Sequence, residues 1–302
     1  MIVRAHKQDT SSIAENTNRK LLLADLPVSE HSLNFAGIST TLLIGGEGEP
    51  IVLLHGPAET SLWWMRVIPK LVKTHKVIIP DLPGHGLSQS NNFNLNHNNL
   101  LDWLRDLIIQ TCKDKPILVG HLLGGSIAAH FAIRNSNLLN NLILVDSFGL
   151  DKFRPAPLFA FGLMRFMTRP NEKTYNSFLP QCIYDTDQLE KQLGKKWKTF
   201  LSYNLEIAQD PDTKRITKTL MKTFGIPRIP VSELKKINIP THLIWGRFDK
   251  ANKIKIAKKA SLHFNWPLHI VDDCRDDPKL ERPDEFVESV YKSIDYKQRN
   301  HA

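Results

Sequence analysis

Cysteine is scarce. Cys112, Cys182 and Cys274 are the only three in 302 residues, too few for a disulfide framework and without metal-ligand spacing. That excludes a disulfide-stapled scaffold, leaves the expectation of no metal and no cofactor, and fits a reducing cytoplasm. Long apolar runs are also missing. The best stretch, residues 157–168, is too short to span a bilayer and is broken by Arg165. The first twenty residues have no apolar centre, so a secretory signal is not expected there. Glycine (15) and proline (18) stay near average usage, which excludes collagen-like and low-complexity chains. No basic stripe interleaved with stacking aromatics points to nucleic acid.

What is present is a chain 41% hydrophobic, too apolar for disorder, and long enough for one large α/β domain or a core with an insert. Its net charge of +9 is unevenly spread: residues 151–238 hold 16 Lys/Arg against 9 Asp/Glu. Such a surplus attracts acidic ligands, nucleic acid or anionic lipid, although a solvated lysine-rich surface is the plainer reading. Short apolar runs at 50–54, 76–80, 116–120, 142–145, 241–245 and 267–271 read as strands. Amphipathic stretches at 60–74, 96–113, 122–134, 252–263 and 283–294 read as helices. Continuous apolar strands alternating with helices predict a mostly parallel sheet covered on both faces. Residues 31–44 read as an antiparallel hairpin at its edge. Residues 1–28 read as a polar leader, 29–150 and 238–302 as the core, and 151–237 as a helical cap with proline-marked joints.

Five segments carry a resemblance: LLHGPAETSLWW (53–64), DLPGHGLS (81–88), GHLLGG (120–125), WGRFD (245–249) and DDCRDDPKLERPDEF (272–286). In this order, at the carboxyl ends of predicted strands, they resemble the α/β-hydrolase fold superfamily. The resemblance implies an α/β-hydrolase fold with a helical cap and a catalytic triad. Its nucleophile belongs on the turn 120–124, its acid at Asp249 and its histidine in the last loop.

The catalytic parts are altered. Gly120 and Gly124 are in place, but the nucleophile position is Leu122, whose side chain cannot attack a carbonyl. Asp276 stands at the histidine position, and His263 and His269 lie outside that loop. Of the two oxyanion positions, Leu123 keeps its backbone N–H and Pro57 has none. Ser126 lies one helical turn beyond the elbow and is a poor substitute nucleophile. His55, His85 and His121 read as loop-holding histidines, with His55, Gly56 and His121 close enough to meet a ligand. Phe153, Phe159, Phe161, Leu163, Phe166 and Met167 read as packing residues, or as the roof of an apolar cavity in which Phe153 and Phe159 touch the ligand.

The reading that follows is a pseudo-hydrolase that binds a small, largely apolar ligand or a partner, with no nucleic acid and no membrane span. Two alternatives stand beside it. One is an enzyme of altered chemistry that uses Asp249 with Asp276 or Asp277. The other is a hydrolase whose nucleophile is unrecognised. If Asp276 approaches Asp249, either one carboxyl pKa rises or an arginine, Arg247 or Arg275, bridges the pair. The arginine solution is the expected one.

Overall fold

The computed structural model of the chain describes residues 17–89 and 95–300, with side chains as far as residue 295. Most of the expected leader, residues 1–16, lies outside the described residues. Among the described residues eight strands form one sheet: β1 (Ser29–Phe35), β2 (Ile38–Gly45), β3 (Glu49–Leu54), β4 (His75–Pro80), β5 (Ile117–His121), β6 (Asn141–Val145), β7 (Thr241–Gly246) and β8 (Leu268–Val271). Their order is β1-β2-β4-β3-β5-β6-β7-β8. β1 and β2 form the edge hairpin, antiparallel to each other, and β2 is antiparallel to β4. From β4 onward every pairing is parallel. β5, β6 and β7 are buried along their whole length, which is why they read as largely apolar runs, with polar residues only at their ends: His121, Asn141, Thr241 and His242.

Thirteen α-helices connect and cover the strands among the described residues: α1 (Thr17–Leu23), α2 (Ile68–Leu71), α3 (His97–Thr111), α4 (Leu123–Asn135), α5 (Pro157–Thr168), α6 (Glu172–Cys182), α7 (Thr186–Leu193), α8 (Lys196–Gln209), α9 (Pro211–Leu220), α10 (Val231–Leu234), α11 (Lys255–Phe264), α12 (Pro278–Glu281) and α13 (Pro283–Asn300). α5 to α10 fill the interval between β6 and β7. Pro157 and Pro211 open helices there, where a missing N–H costs nothing, but Pro180 sits inside α6 instead of at a joint.

Two expectations need correction. The helix expected over 60–74 is split into a single turn at Ser61–Trp64 and the short α2. Asp81 takes the Ser61 N–H at 2.7 Å, and Pro69 can only sit in a first helical turn, so the chain stops and restarts. The polar leader does not run to residue 28. α1 packs against α8, with Leu22 in the core and Arg19 buried. The Arg19 guanidinium meets Glu30 at 2.6 Å, Tyr203 Oη at 2.9 Å and Asp81 at 3.2 Å. A charge that reads as solvated is held inside because its acceptors are there.

Candidate active site

Leu122 sits between β5 and α4 with φ 45° and ψ −105°. A β-carbon residue in that region stores about 1–3 kcal/mol of strain, so the surroundings must impose it. They do. The Leu122 N–H donates to Val145 O at 2.9 Å, and its carbonyl accepts from Ser126 N and Phe148 N, both at 3.1 Å. A Cβ on Gly120 would lie 2.3 Å from Gly124 O, and one on Gly124 would lie 2.5 Å from Leu54 O. The strand-to-helix elbow is therefore intact, with a leucine at its apex. That side chain is buried in the same apolar cluster as Leu123, Phe148 and Phe224. Ser126 is fully buried, and its hydroxyl donates to Phe224 O at 2.7 Å.

On the acid side the fold gathers three buried carboxyls. Asp249 follows β7 and accepts from Asn252 N at 2.7 Å. Asp276 follows β8. Asp146 follows β6 and accepts from Gly246 N at 3.0 Å. One oxygen of each (Asp146 Oδ2, Asp249 Oδ2, Asp276 Oδ1) has no donor among the described groups. Burial pushes all three well above the ordinary carboxyl range, reinforced by Asp276 at Asp146, by Asp146 at Asp249, and by Asp249 at Asp276. Two facing carboxyls can hydrogen-bond only if one is protonated, and a proton there supplies the missing donor. The arginine bridge is not formed. Arg247 turns outward to Asp272 on the surface, and the Arg275 side chain donates to Ile183 O at 2.9 Å. The close approach of acids is met by raised pKa values instead. Sequence reading missed Asp146, although an acid directly after the run 142–145 marks a strand's carboxyl end.

A second buried cluster adjoins the first. Lys279 is fully buried. Its ammonium contacts Asp277, lies 2.8 Å from His121 Nδ1 and 3.6 Å from Glu59 Oε2, and sits over the rings of Trp63 and Trp64. Burial disfavours the ammonium, yet Asp277 and Glu59 outweigh it and the Lys279 pKa is raised. Burial would likewise raise Glu59, but Lys279 and His121 hold its carboxyl at about 2. His121 Nε2 donates to Asp276 O at 2.5 Å, and its Nδ1 faces both Lys279 at 2.8 Å and Glu59 at 3.3 Å. Glu59, His121 and Asp277 present donor atoms close enough together to hold a metal ion. The ammonium already fills the cation's place among them, so the set does not fit a metal.

The residues expected to meet a ligand spend their polar groups inside the protein. His55 Nε2 accepts from Leu82 N at 2.9 Å, which fixes the proton on Nδ1, and Nδ1 donates to Gly56 O at 2.8 Å. The Gly56 N–H donates to Glu59 Oε2 at 2.9 Å. His85 donates to Pro83 O and accepts from Thr217, and burial lowers its pKa to about 3. Pro57 begins a tight turn with Ala58 at φ 57°. On this loop one backbone donor is absent and the one before it is taken, while Leu123 opens α4. Phe159 packs on Phe178 in one apolar cluster with Ala251, two residues past Asp249, and Phe153 packs edge-on to Phe148. Phe161 and Met167, read as packing or roof, are exposed.

The profile of the alpha/beta hydrolase fold family matches residues 49–278. A curated relative, the 2-hydroxy-6-oxo-6-(2'-aminophenyl)hexa-2,4-dienoic acid hydrolase of Metapseudomonas resinovorans, is 23% identical over 279 residues, 86% of this chain and 89% of its own. The pimeloyl-[acyl-carrier protein] methyl ester esterase of Legionella pneumophila is 27% identical over 233 residues, 74% of this chain and 84% of its own. The solved 2-hydroxy-6-oxo-6-phenylhexa-2,4-dienoate hydrolase from Rhodococcus sp. strain RHA1 superposes with a TM-score of 0.77 at 21% identity, over 89% of this chain and 99% of that one.

Proposed function

The chain belongs to the alpha/beta hydrolase fold family, and we propose that within it the protein is a pseudo-hydrolase that holds a small, largely apolar ligand or a partner without acyl transfer. The observation that carries this reading is Leu122 at the apex of an intact elbow. The backbone strain that exposes a nucleophile is kept, and the side chain has no lone pair to use it. The rest of the machinery points the same way. The histidine position is a buried aspartic acid, Pro57 withholds an oxyanion donor, and an ionised Glu59 shares its turn. Ser126, one helical turn past the elbow, and Ser147, just after β6, are fully buried and donate to the Phe224 and Phe148 carbonyls. Three free thiols fit a cytoplasmic setting.

The test has two parts. A fluorophosphonate probe for serine nucleophiles should leave the protein unlabelled. A thermal-shift screen should find a stabilising ligand among apolar acids and esters, beginning with dienoic acids and methyl esters of the kind the relatives' names give. A ligand at 100 times its Kd stabilises by about 2.7 kcal/mol, with or without turnover. Stoichiometric labelling would overturn the reading. One observation favours a second reading, acid–base chemistry without a covalent step. Burial raises the Asp146, Asp249 and Asp276 carboxyls well above the ordinary range, and a carboxyl so raised can act as an acid. Turnover of any screened compound that is lost in Asp249→Asn and Asp276→Asn would favour it.

A further inference from the structure

We propose that the outer face of α5 docks on the surface of an anionic lipid membrane. Eight of the twelve residues of α5 are apolar, yet Phe159 is its only buried one. A helix apolar on all sides belongs in a core or against lipid, and this one lies on the surface. Its inner side is satisfied by α6: Phe159 packs on Phe178 at 5.2 Å, and Phe166 stacks on Tyr175 at 5.1 Å. Its outer side carries Leu158, Phe161, Met164 and Met167, which are 71%, 59%, 58% and 48% exposed. Four large apolar side chains on one helix are more than scattered surface residues.

The charges around this stripe identify the occupant. From residue 152 to 171 there are four cations, Lys152, Arg154, Arg165 and Arg169, and no acid. All four are exposed, and none forms a salt bridge among the described residues. Cations at both ends of an apolar helix face match an anionic leaflet, with side chains in the acyl boundary and guanidinium groups at the phosphates. A helix of twelve residues is long enough to lie in that interface and too short to cross it. This inference does not depend on whether the elbow supports turnover.

The experiment is flotation of the full chain with vesicles of phosphatidylcholine alone, and of phosphatidylcholine with about one-third phosphatidylglycerol. The protein should float with the anionic vesicles, stay behind with the neutral ones, and be released as salt is raised. Phe161→Ser with Met164→Ser should lower partitioning at least about tenfold. Arg165→Gln with Arg169→Gln should lower it about thirty-fold, about five-fold per cation. Leu262→Ser, at an 88% exposed position on α11, should change nothing. All these positions are exposed, so unfolding is not the expected cause of a loss, and far-UV circular dichroism checks it. Absence from both vesicle types, or equal partitioning of wild type and variants, overturns the proposal. So does a concentration-dependent dimer in sedimentation equilibrium that Phe161→Ser dissolves, because the face would then be covered by a second copy.

Discussion

Replacing Lys279 by methionine tests the buried network most directly. Methionine keeps most of the apolar stem between Trp63 and Trp64 and removes only the charge and its donors. In the wild type the ammonium serves Asp277, His121 Nδ1 at 2.8 Å and Glu59 at 3.6 Å, all buried. Without it, two carboxyls and one imidazole nitrogen lose their common partner. Removing one member of a buried pair costs about 3–5 kcal/mol, mainly because the survivors remain desolvated. The sign of the pH dependence follows from the shifts. Lys279 is raised above 10.5, so its contribution is complete below that pH and is lost as pH climbs through the folded value. Glu59 is lowered from 4.5 to about 2, so its contribution is present above 4.5 and is lost as pH falls toward 2. Burial raises Asp277 from 3.8, so stability falls as pH climbs from there through its folded value, and above that value, up to 10.5, the wild-type cluster contributes a constant amount. In Lys279→Met the folded state gains protons that the unfolded state does not, on Glu59 or Asp277. The deficit should therefore be widest near about pH 8 and narrow toward about pH 5. Urea unfolding followed by tryptophan fluorescence measures it, with Trp63 and Trp64 as local reporters. Adding Glu59→Gln should recover at least about 1 kcal/mol by removing one stranded charge. A single-variant loss under about 1 kcal/mol, or additivity of the two changes within about 0.5 kcal/mol, would refute the reasoning.

With activated esters, stopped-flow kinetics should show no stoichiometric burst, and a burst that survives Ser126→Ala would remove the pseudo-hydrolase reading. Leu122→Ser with Asp276→His rebuilds a serine, a histidine and Asp249 around the existing elbow, and esterase assays should find weak activity at best. Adding Pro57→Gly should then raise the rate by about 10²-fold, since one oxyanion donor is worth about 10²–10³; equal rates for the two variants would show that Pro57 is not at the oxyanion position. Asp276→Asn should stabilise the protein. Its carboxyl is raised above 3.8 in the fold, so wild-type stability falls as pH climbs from there through the folded value. The gain should be clear in urea unfolding at about pH 8, at about 1.4 kcal/mol per unit of upward shift relieved, and should vanish near about pH 4. A variant no more stable than wild type at about pH 8 would mean that Asp276 is ionised at no cost.

The α/β architecture was legible because a parallel strand buried on both faces is apolar at nearly every position, as the runs at 116–120 and 142–145 are, and as 241–245 is beyond Thr241 and His242. The elbow was legible because Gly120 and Gly124 answer a local steric demand. The inert apex at Leu122 and the missing donor at Pro57 were also decided by residue chemistry alone. Tertiary structure decided where the charges went. Lys279 and His121, 158 residues apart, meet only because the loops after β5 and β8 leave the same end of the sheet. Arg19 and Glu59 look like surface residues until the fold puts their partners beside them. The choice between an arginine bridge and raised carboxyl pKa values at Asp249 and Asp276 turned on side-chain direction, and so did the outward face of α5. Local sequence states which residues must leave water. A charged residue leaves water only when a partner from elsewhere in the chain is waiting, and only the folded chain specifies that partner.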